Sequence, residues 1–280
     1  MRPVFLPHSI EEALGFLRAE PKAAIYAGGT DLLVKMRSGA VNFPALICLE
    51  RVDELKEVHE DGDDVLIGAA TTHTGLLEDP LVRDHFPVLT RAARVLGSPP
   101  VRNMGTIGGN IVTASPAGDT LPPLYVLDAD VEIRSWEGTR RAPVRDFILG
   151  PGVVDLKSHE LVTAIGLRKS QQWDVHHYEK VGRRKSLACA VVSLAALMKL
   201  GPRGEIDDVR LAWGGVGPTV VTSAEVEVLL RGKPLSYDTL KSAVPPVERA
   251  VSPIDDTRAS AEYRRIVSGN LLFRLLEYVR

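Results

Sequence analysis

A short apolar run, Ala23-Ala24-Ile25-Tyr26-Ala27, passes directly into Gly28-Gly29-Thr30-Asp31. Few arrangements satisfy both halves. The apolar run reads as a buried strand, and the glycine pair as the turn that leaves it. A short helix follows, with Leu32, Leu33 and Met36 on one inward face and Gly39 as its stop. Ala45-Leu46-Ile47-Cys48-Leu49 reads as the next strand. Two strands joined through a helix run parallel, so residues 23–49 predict a compact parallel crossover unit. A helix precedes it. Ser9-Ile10-Glu11-Glu12 is a capping box, with Ser9 as N-cap and Glu12 at the third helical position. Ala13, Leu14 and Leu17 form its apolar stripe, and Pro21 ends it.

The pattern then changes. Residues 58–68 alternate around an acidic turn containing Gly62 and predict a hairpin. Val88 to Leu96 predicts a helix with Leu89, Ala92, Ala93 and Leu96 inward, stopped by Gly97. A second glycine segment follows, Gly105-Thr106-Ile107-Gly108-Gly109-Asn110-Ile111. Strand patterns lie at Asp130 to Arg134, before a turn at Glu137-Gly138, and at Leu161 to Leu167. A polar break at Ser170-Gln171-Gln172 marks a domain boundary. Beyond it come strand-like runs at Cys189 to Leu200 and Val209 to Trp213, then helical stretches at Leu240 to Val244 and Ala259 to Val279. No internal repeat or low-complexity segment interrupts the 280 residues, a length suited to about two domains.

Composition excludes several classes of function. The chain carries 34 basic and 36 acidic residues, a formal charge of -2, which gives no support for a nucleic-acid binder. Its two cysteines, Cys48 and Cys189, both sit in apolar sequence and read as small buried residues. Two thiols cannot ligate a four-thiolate iron–sulfur cluster or a Cys-rich zinc site. Redox chemistry would therefore require an organic cofactor or a metal held differently. The seven histidines show no ligand spacing, and adjacent His176 and His177 would point apart on a strand. No metal site and no catalytic acid or base is assigned. The N-terminus lacks a signal-peptide apolar stretch and no run is long enough to span a membrane, so a soluble, cytoplasmic protein is expected.

The glycine segments carry the chemistry. A dinucleotide pyrophosphate is often held by exposed backbone N–H groups, and side chains would obstruct that approach. Gly28-Gly29-Thr30, between strand and helix, meets the requirement, and Thr30 adds a hydroxyl donor. A Gly-Gly pair alone also reads as a plain tight turn. Thr106-Ile107-Gly108-Gly109-Asn110 repeats the pairing with hydroxyl and amide neighbours, and Ser115-Pro116-Ala117-Gly118-Asp119 adds a second small, polar stretch. Two such segments can converge on one elongated ligand. Asp119 fits two readings: an acceptor for sugar or ribityl hydroxyls, or an Asx-turn residue after Gly118. Competing signatures are missing from the sequence: Gly-x-Gly-x-x-Gly, Gly-Lys-Ser/Thr, Gly-x-Ser-x-Gly and His-Glu-x-x-His.

Ala27-Gly28-Gly29-Thr30-Asp31-Leu32-Leu33 resembles the first FAD-pyrophosphate loop of the flavin subunit of molybdenum hydroxylases. That family includes carbon monoxide dehydrogenase, xanthine dehydrogenase and aldehyde or N-heterocycle hydroxylases. The segment from Thr106 to Asp119 resembles the family's second, more diagnostic segment. The resemblance covers essentially the whole chain. It implies an α+β protein. Residues 1–170 would form the two-subdomain FAD-binding fold of the p-cresol methylhydroxylase and vanillyl-alcohol oxidase type, with subdomains at about 1–55 and 56–170. Residues 171–280 would form a small C-terminal α+β domain.

It further implies non-covalent FAD held by Ala27, Gly28, Gly29, Thr30, Asp31 and Leu32, and by Thr106, Gly108, Gly109, Asn110, Ser115 and Asp119. Leu96 would sit near the adenine. Leu161 and Lys180, with Tyr178, would approach the flavin ring. The basic run Lys180-Val181-Gly182-Arg183-Arg184-Lys185 reads either as a solvated loop or as a loop at the flavin edge. A positive group there would favour the reduced, anionic flavin. The related subunit of 4-hydroxybenzoyl-CoA reductase carries an inserted iron–sulfur cluster, and this sequence has neither the insertion nor its cysteines.

By the same resemblance, a large subunit would hold the molybdenum cofactor and oxidise substrate. A small subunit would carry two [2Fe-2S] clusters and deliver electrons to this flavin, which would pass them to NAD+ or another acceptor. Two alternatives stay open: an independent single-chain flavin oxidoreductase of the same fold, and a non-enzymatic nucleotide-binding module.

Overall fold

The computed structural model describes residues 2–169, 172–184 and 187–279. The chain divides into two compact units. The first comprises the residues up to Arg83, Ser98–Ala114 and Asp128–Lys169. The second comprises Asp84–Gly97, Ser115–Leu127 and the chain from Gln172 onward. Two short stretches before residue 128 thus pack with the C-terminal half. Of the boundary run read from composition, Ser170 and Gln171 lie outside the described residues.

In the first unit, Ala24–Tyr26 and Leu46–Cys48 pair in parallel across the helix Leu32–Arg37, as the crossover pattern predicts. A third strand, Val4–Phe5, also pairs in parallel with Leu46–Cys48; at two residues it is too short to announce itself in sequence. The Ser9 half of the capping box forms at the helix Ile10–Ala19, and the return bond from Glu12 goes one residue further back, to His8. The Glu12 N–H donates to Ser9 Oγ (3.1 Å), and Glu12 Oε2 accepts from the His8 N–H (2.8 Å). Ile10, Ala13 and Leu17 face a buried cluster with Ile47, Leu49, Val52, Leu55 and Ala70. The inward face read for Leu32, Leu33 and Met36 does not form: the helix Leu32–Arg37 buries no residue, and Leu33 is 42% exposed.

The rest of the first unit is built on an antiparallel sheet. Its order is Val58–Asp61, Asp64–Gly68, Leu161–Arg168, Asp130–Ser135 and Gly138–Pro143. The hairpin closes with Asp61 opposite Asp64 around Gly62, at φ +58°. The last strand, Gly138–Pro143, was not legible because charged residues at an edge carry no apolar alternation.

The second unit has a three-stranded antiparallel sheet, Val175–Val181, Val192–Leu200 and Ile206–Gly214. Helices Pro87–Val95 and Leu121–Val126 pack on it, as do Ala224–Leu230 and Ala261–Asn270. Trp213 lies in this core, fully buried, and its indole N–H donates to the Ser268 carbonyl (3.1 Å). The strand read from Cys189 begins only at Val192, and Cys189 is exposed rather than buried. Cys48 is buried, as expected.

Burial within the first unit makes a direct test. Leu55 is fully buried, so Leu55→Ala should cost about 2–5 kcal/mol in urea unfolding. The same deletion at Leu33 should cost less than about 0.5 kcal/mol. Equal costs at the two sites would contradict this packing.

Candidate functional site

The second glycine segment is not a loop. Thr106 is the N-cap of a short helix, Ile107–Thr113, and its Oγ1 accepts from the Gly109 N–H (3.1 Å). Residues 69–73 clamp the segment through the backbone. The His73 N–H donates to the Gly105 carbonyl (3.0 Å), Ile107 N–H to the Thr71 carbonyl (3.0 Å) and Gly108 N–H to the Ala69 carbonyl (2.9 Å). The approach is too close for a side chain: a Cβ on Gly108 would lie 2.7 Å from both Cβ and O of Ala69.

The first glycine loop meets this assembly. A Cβ on Gly28 would fall 1.6 Å from the Met104 carbonyl oxygen. Gly29 has φ +66°, in the left-handed region that favours glycine. The Thr30 hydroxyl lies 3.3 Å from the Cβ position of Gly105. Asp31 Oδ2 accepts from Thr113 Oγ1 (3.3 Å) and pairs with Lys35 (2.7 Å). The structure therefore brings Gly28–Asp31 and Gly105–Thr113 together. Ala27 and Leu32, half-buried, flank the first loop, and Asn110 follows Gly109 in the helix, its N–H on the Thr106 carbonyl (3.0 Å).

Gly109 differs from its neighbours. It is exposed, and a Cβ there would approach only Thr106 Oγ1, at 2.9 Å. Packing explains Gly28 and Gly108, and backbone conformation explains Gly29. At Gly109 a Cβ would press on the cap hydroxyl of Thr106 alone, and the rest of its surroundings is open.

Sequence reasoning passed over His73. Its ring is 2% exposed, and Nδ1 has no hydrogen-bond partner. Cδ2 lies 3.2 Å from the Cβ position of Gly105. Burial, with the nearby positive charge of Arg102, pushes its pKa down from 6.5 to about 4. No motif signals a single histidine at a helix start.

In the second unit, Asp119 is buried and is not an Asx-turn residue. Its Oδ1 accepts from the Tyr178 hydroxyl (2.9 Å) and its Oδ2 from Lys180 Nζ (2.7 Å). Lys180 also donates to the Val95 carbonyl (2.9 Å). Burial raises the pKa of the Asp119 carboxyl, opposed by Lys180 and Tyr178. Lys180 and Val181 are strand residues, so the basic run is a loop only from Gly182, and Lys185 lies outside the described residues. A cavity of about 240 Å³ is lined by Val95, Tyr178, Lys180 and Leu187 among others. Leu96 is buried at the end of the helix Pro87–Val95, and Ser115 Oγ accepts from the Ala117 N–H (3.3 Å). Leu161, in the first unit, packs into the buried cluster around Ile47 and Leu55. Among the described residues, no cluster of His, Cys, Asp and Glu could hold a metal ion, and no helix is long and apolar enough to cross a membrane.

Two family models account for nearly the whole chain. Residues 1–167 match the FAD binding domain in molybdopterin dehydrogenase, and residues 176–279 match the CO dehydrogenase flavoprotein C-terminal domain. This chain belongs to the flavin subunits of the molybdenum hydroxylases. The glyceraldehyde dehydrogenase medium chain of Sulfolobus acidocaldarius is 34% identical over 97% of this chain and 95% of its own. The putative xanthine dehydrogenase FAD-binding subunit of Escherichia coli is 32% identical over 91% of this chain and 88% of its own. Carbon monoxide dehydrogenase from Hydrogenophaga pseudoflava superposes with a TM-score of 0.93 at 28% identity, covering 99% of this chain and 96% of that one. The flavoprotein is an oxidoreductase subunit, its cofactor is FAD, and its fold is that of the carbon monoxide dehydrogenase flavin subunit. The residues fit that cofactor: Gly109 leaves backbone open where a Cβ would intrude, and His73 Nδ1 is an orphaned buried polar atom beside the clamp.

Two outcomes follow for the flavoprotein. Gly28→Ala places a methyl group inside the Met104 carbonyl and should destabilise the first unit by about 3 kcal/mol or more, read as a fall in Tm. His73 makes stability depend on pH. Unfolded, it takes its proton near pH 6.5; folded, only near 4. Its contribution is full above about 6.5 and is lost as pH falls toward 4, by at most about 1.4 kcal/mol per pH unit. Urea unfolding of His73→Leu between pH 7 and 5 should show a shallower slope than the parent, and an unchanged slope would rule this out.

Proposed function

We propose that the chain is an electron relay within a larger complex. It receives electrons from a small iron–sulfur subunit, reduced in turn by a large molybdenum-cofactor subunit, and passes them to NAD+ or another acceptor. Its membership of the flavin subunits supports the reading, and so do relatives named as medium chains. When bound, FAD accepts electrons singly and returns them in pairs.

The chain's own task is to bind and orient that cofactor. Ala27, Gly28, Gly29, Thr30, Asp31 and Leu32 form one side of the proposed pyrophosphate cradle, and Thr106, Gly108, Gly109 and Asn110 the other. Thr30 supplies a hydroxyl. Gly108 and Gly28 keep the two backbones in register, so that Gly109 presents an uncovered surface. In the second unit, Asp119 and Lys180 are the proposed polar contacts; exchanging their mutual hydrogen bond for hydroxyl partners would keep both charges satisfied. Ser115, Leu96 and Leu161 keep the roles that the family resemblance gives them. No residue is assigned acid or base work, because the redox chemistry belongs to the cofactor. The open backbone at Gly109 is the observation that carries the reading.

Gly109→Val tests it. The branched side chain should eliminate FAD from the purified chain while circular dichroism stays that of a folded protein. The stabilisation by FAD would vanish as well, about 4 kcal/mol at a free concentration 1,000 times Kd. Full flavin occupancy in this variant would refute the cradle. For the relay, the complex purified from its host should contain molybdenum and iron, and the isolated chain neither. A flavin-loaded chain that turns over a substrate alone would refute the relay and leave the cradle standing.

A further inference from the structure

The second unit contains a larger cavity, of about 370 Å³, that the flavin assignment does not use. It is lined by Val181, Gly182, Arg183 and Val191, and by Arg258, Ala259, Ser260 and Tyr263. Two arginines line it from segments distant in sequence, Arg258 paired with Asp256 through Nε and Nη2, and no acidic residue is among the lining residues. Val181, Val191 and Ala259 give it an apolar floor. Tyr263 adds an aromatic ring that is 48% exposed.

The walls are braced. Arg264, 3% exposed, donates to the carbonyls of Val191 (2.6 Å) and Gly215 (3.0 Å) and to Asp256 (2.7 Å). It thereby ties the start of one strand to the loop before the helix Ala261–Asn270. Asp256 also receives Arg258 Nε (2.9 Å) and the N–H groups of Arg258 (2.7 Å) and Ala259 (3.2 Å). Arg183 Nη1 donates to the Thr257 carbonyl (3.0 Å), which joins the two rims. The Asp255 carboxylate is occupied by the Ala261 N–H (2.7 Å). Both lining arginines are thus held in place by one edge of the guanidinium, with other N–H donors left over.

We propose that this cavity binds a phosphorylated ligand carrying a flat ring, of mononucleotide size, with phosphate on Arg183 and Arg258 and the ring against Tyr263. Guanidinium forks match phosphate geometry, and their positioning in advance lowers the entropy lost on binding. The Ser260 hydroxyl and the start of a ten-residue helix add weaker attraction for the same anion. The volume falls within the range of small-molecule sites, about 300–1,000 Å³. The purpose would be to read a soluble nucleotide, separately from the cofactor.

The test is calorimetric titration of the FAD-saturated full chain, at low salt, with ADP and separately with inorganic phosphate. Saturation with FAD keeps ADP, which is part of that cofactor, from reporting on the cradle. One ADP should bind per chain, more tightly than phosphate. Arg183→Gln with Arg258→Gln should weaken ADP by about tenfold or more, with flavin content unchanged. Tyr263→Ala should weaken ADP and leave phosphate unaffected. If loss of the Asp256 brace unfolds the double variant, Arg183→Gln alone carries the test and should weaken ADP by about threefold. Absence of saturable ADP binding, or equal affinity in the arginine variants, overturns the site. Phosphate binding as tight as ADP overturns the role of the ring. Because flavin content is measured in every sample, a failed cradle and a failed nucleotide site remain separate results.

Discussion

Three backbone hydrogen bonds between residues 69–73 and residues 105–108 set the geometry on which the candidate site depends. They bring main chain against main chain with nothing between, which only glycine at position 108 permits. The helix Ile107–Thr113 is too short to hold itself in water and borrows its position from this clamp. Thr106 then caps it from within. Gly28 seats the first loop against Met104 by the same device, a close approach that excludes Cβ. The shape of the proposed cradle is therefore set by the packing of the chain itself.

That order of causes alters what the glycines mean. In sequence, each glycine pair suggested room left for a pyrophosphate. In the structure, Gly28 and Gly108 serve the protein's own backbone, and Gly29 serves a left-handed φ. Only Gly109 has the property that the ligand argument requires. The reason for which the sequence pattern singled out these segments applies at one position of four. Residue type alone could not separate these cases, because all of them demand the same absence of a side chain.

Legibility followed local physics elsewhere too. The N-cap at Ser9, the hairpin around Gly62 and the crossover at residues 23–49 are short-range patterns, and all are present. The misses depend on tertiary context. Leu33 looks like a core residue by its type, yet the small helix that carries it covers no core. Cys189 sits among apolar neighbours in sequence but lies just outside the strand that would have buried it. The partners of Asp119 were hidden for a related reason. A buried polar contact is defined by its partner, and here the partners are 59 and 61 residues away.

The second unit handles charge differently from the first. Asp119 and Lys180 are both almost withdrawn from water, which is costly unless each lone pair and proton is satisfied. Tyr178 and the Val95 carbonyl complete that set, so the pair is stable as a closed network. A closed network of this kind opens only for a partner that replaces the lost hydrogen bonds. Hydroxyl groups do so, because each can donate to the carboxylate and accept from the ammonium. Plain hydrophobic ligands cannot. Under the proposed assignment, hydroxyl groups of the cofactor would be the partners that replace those bonds.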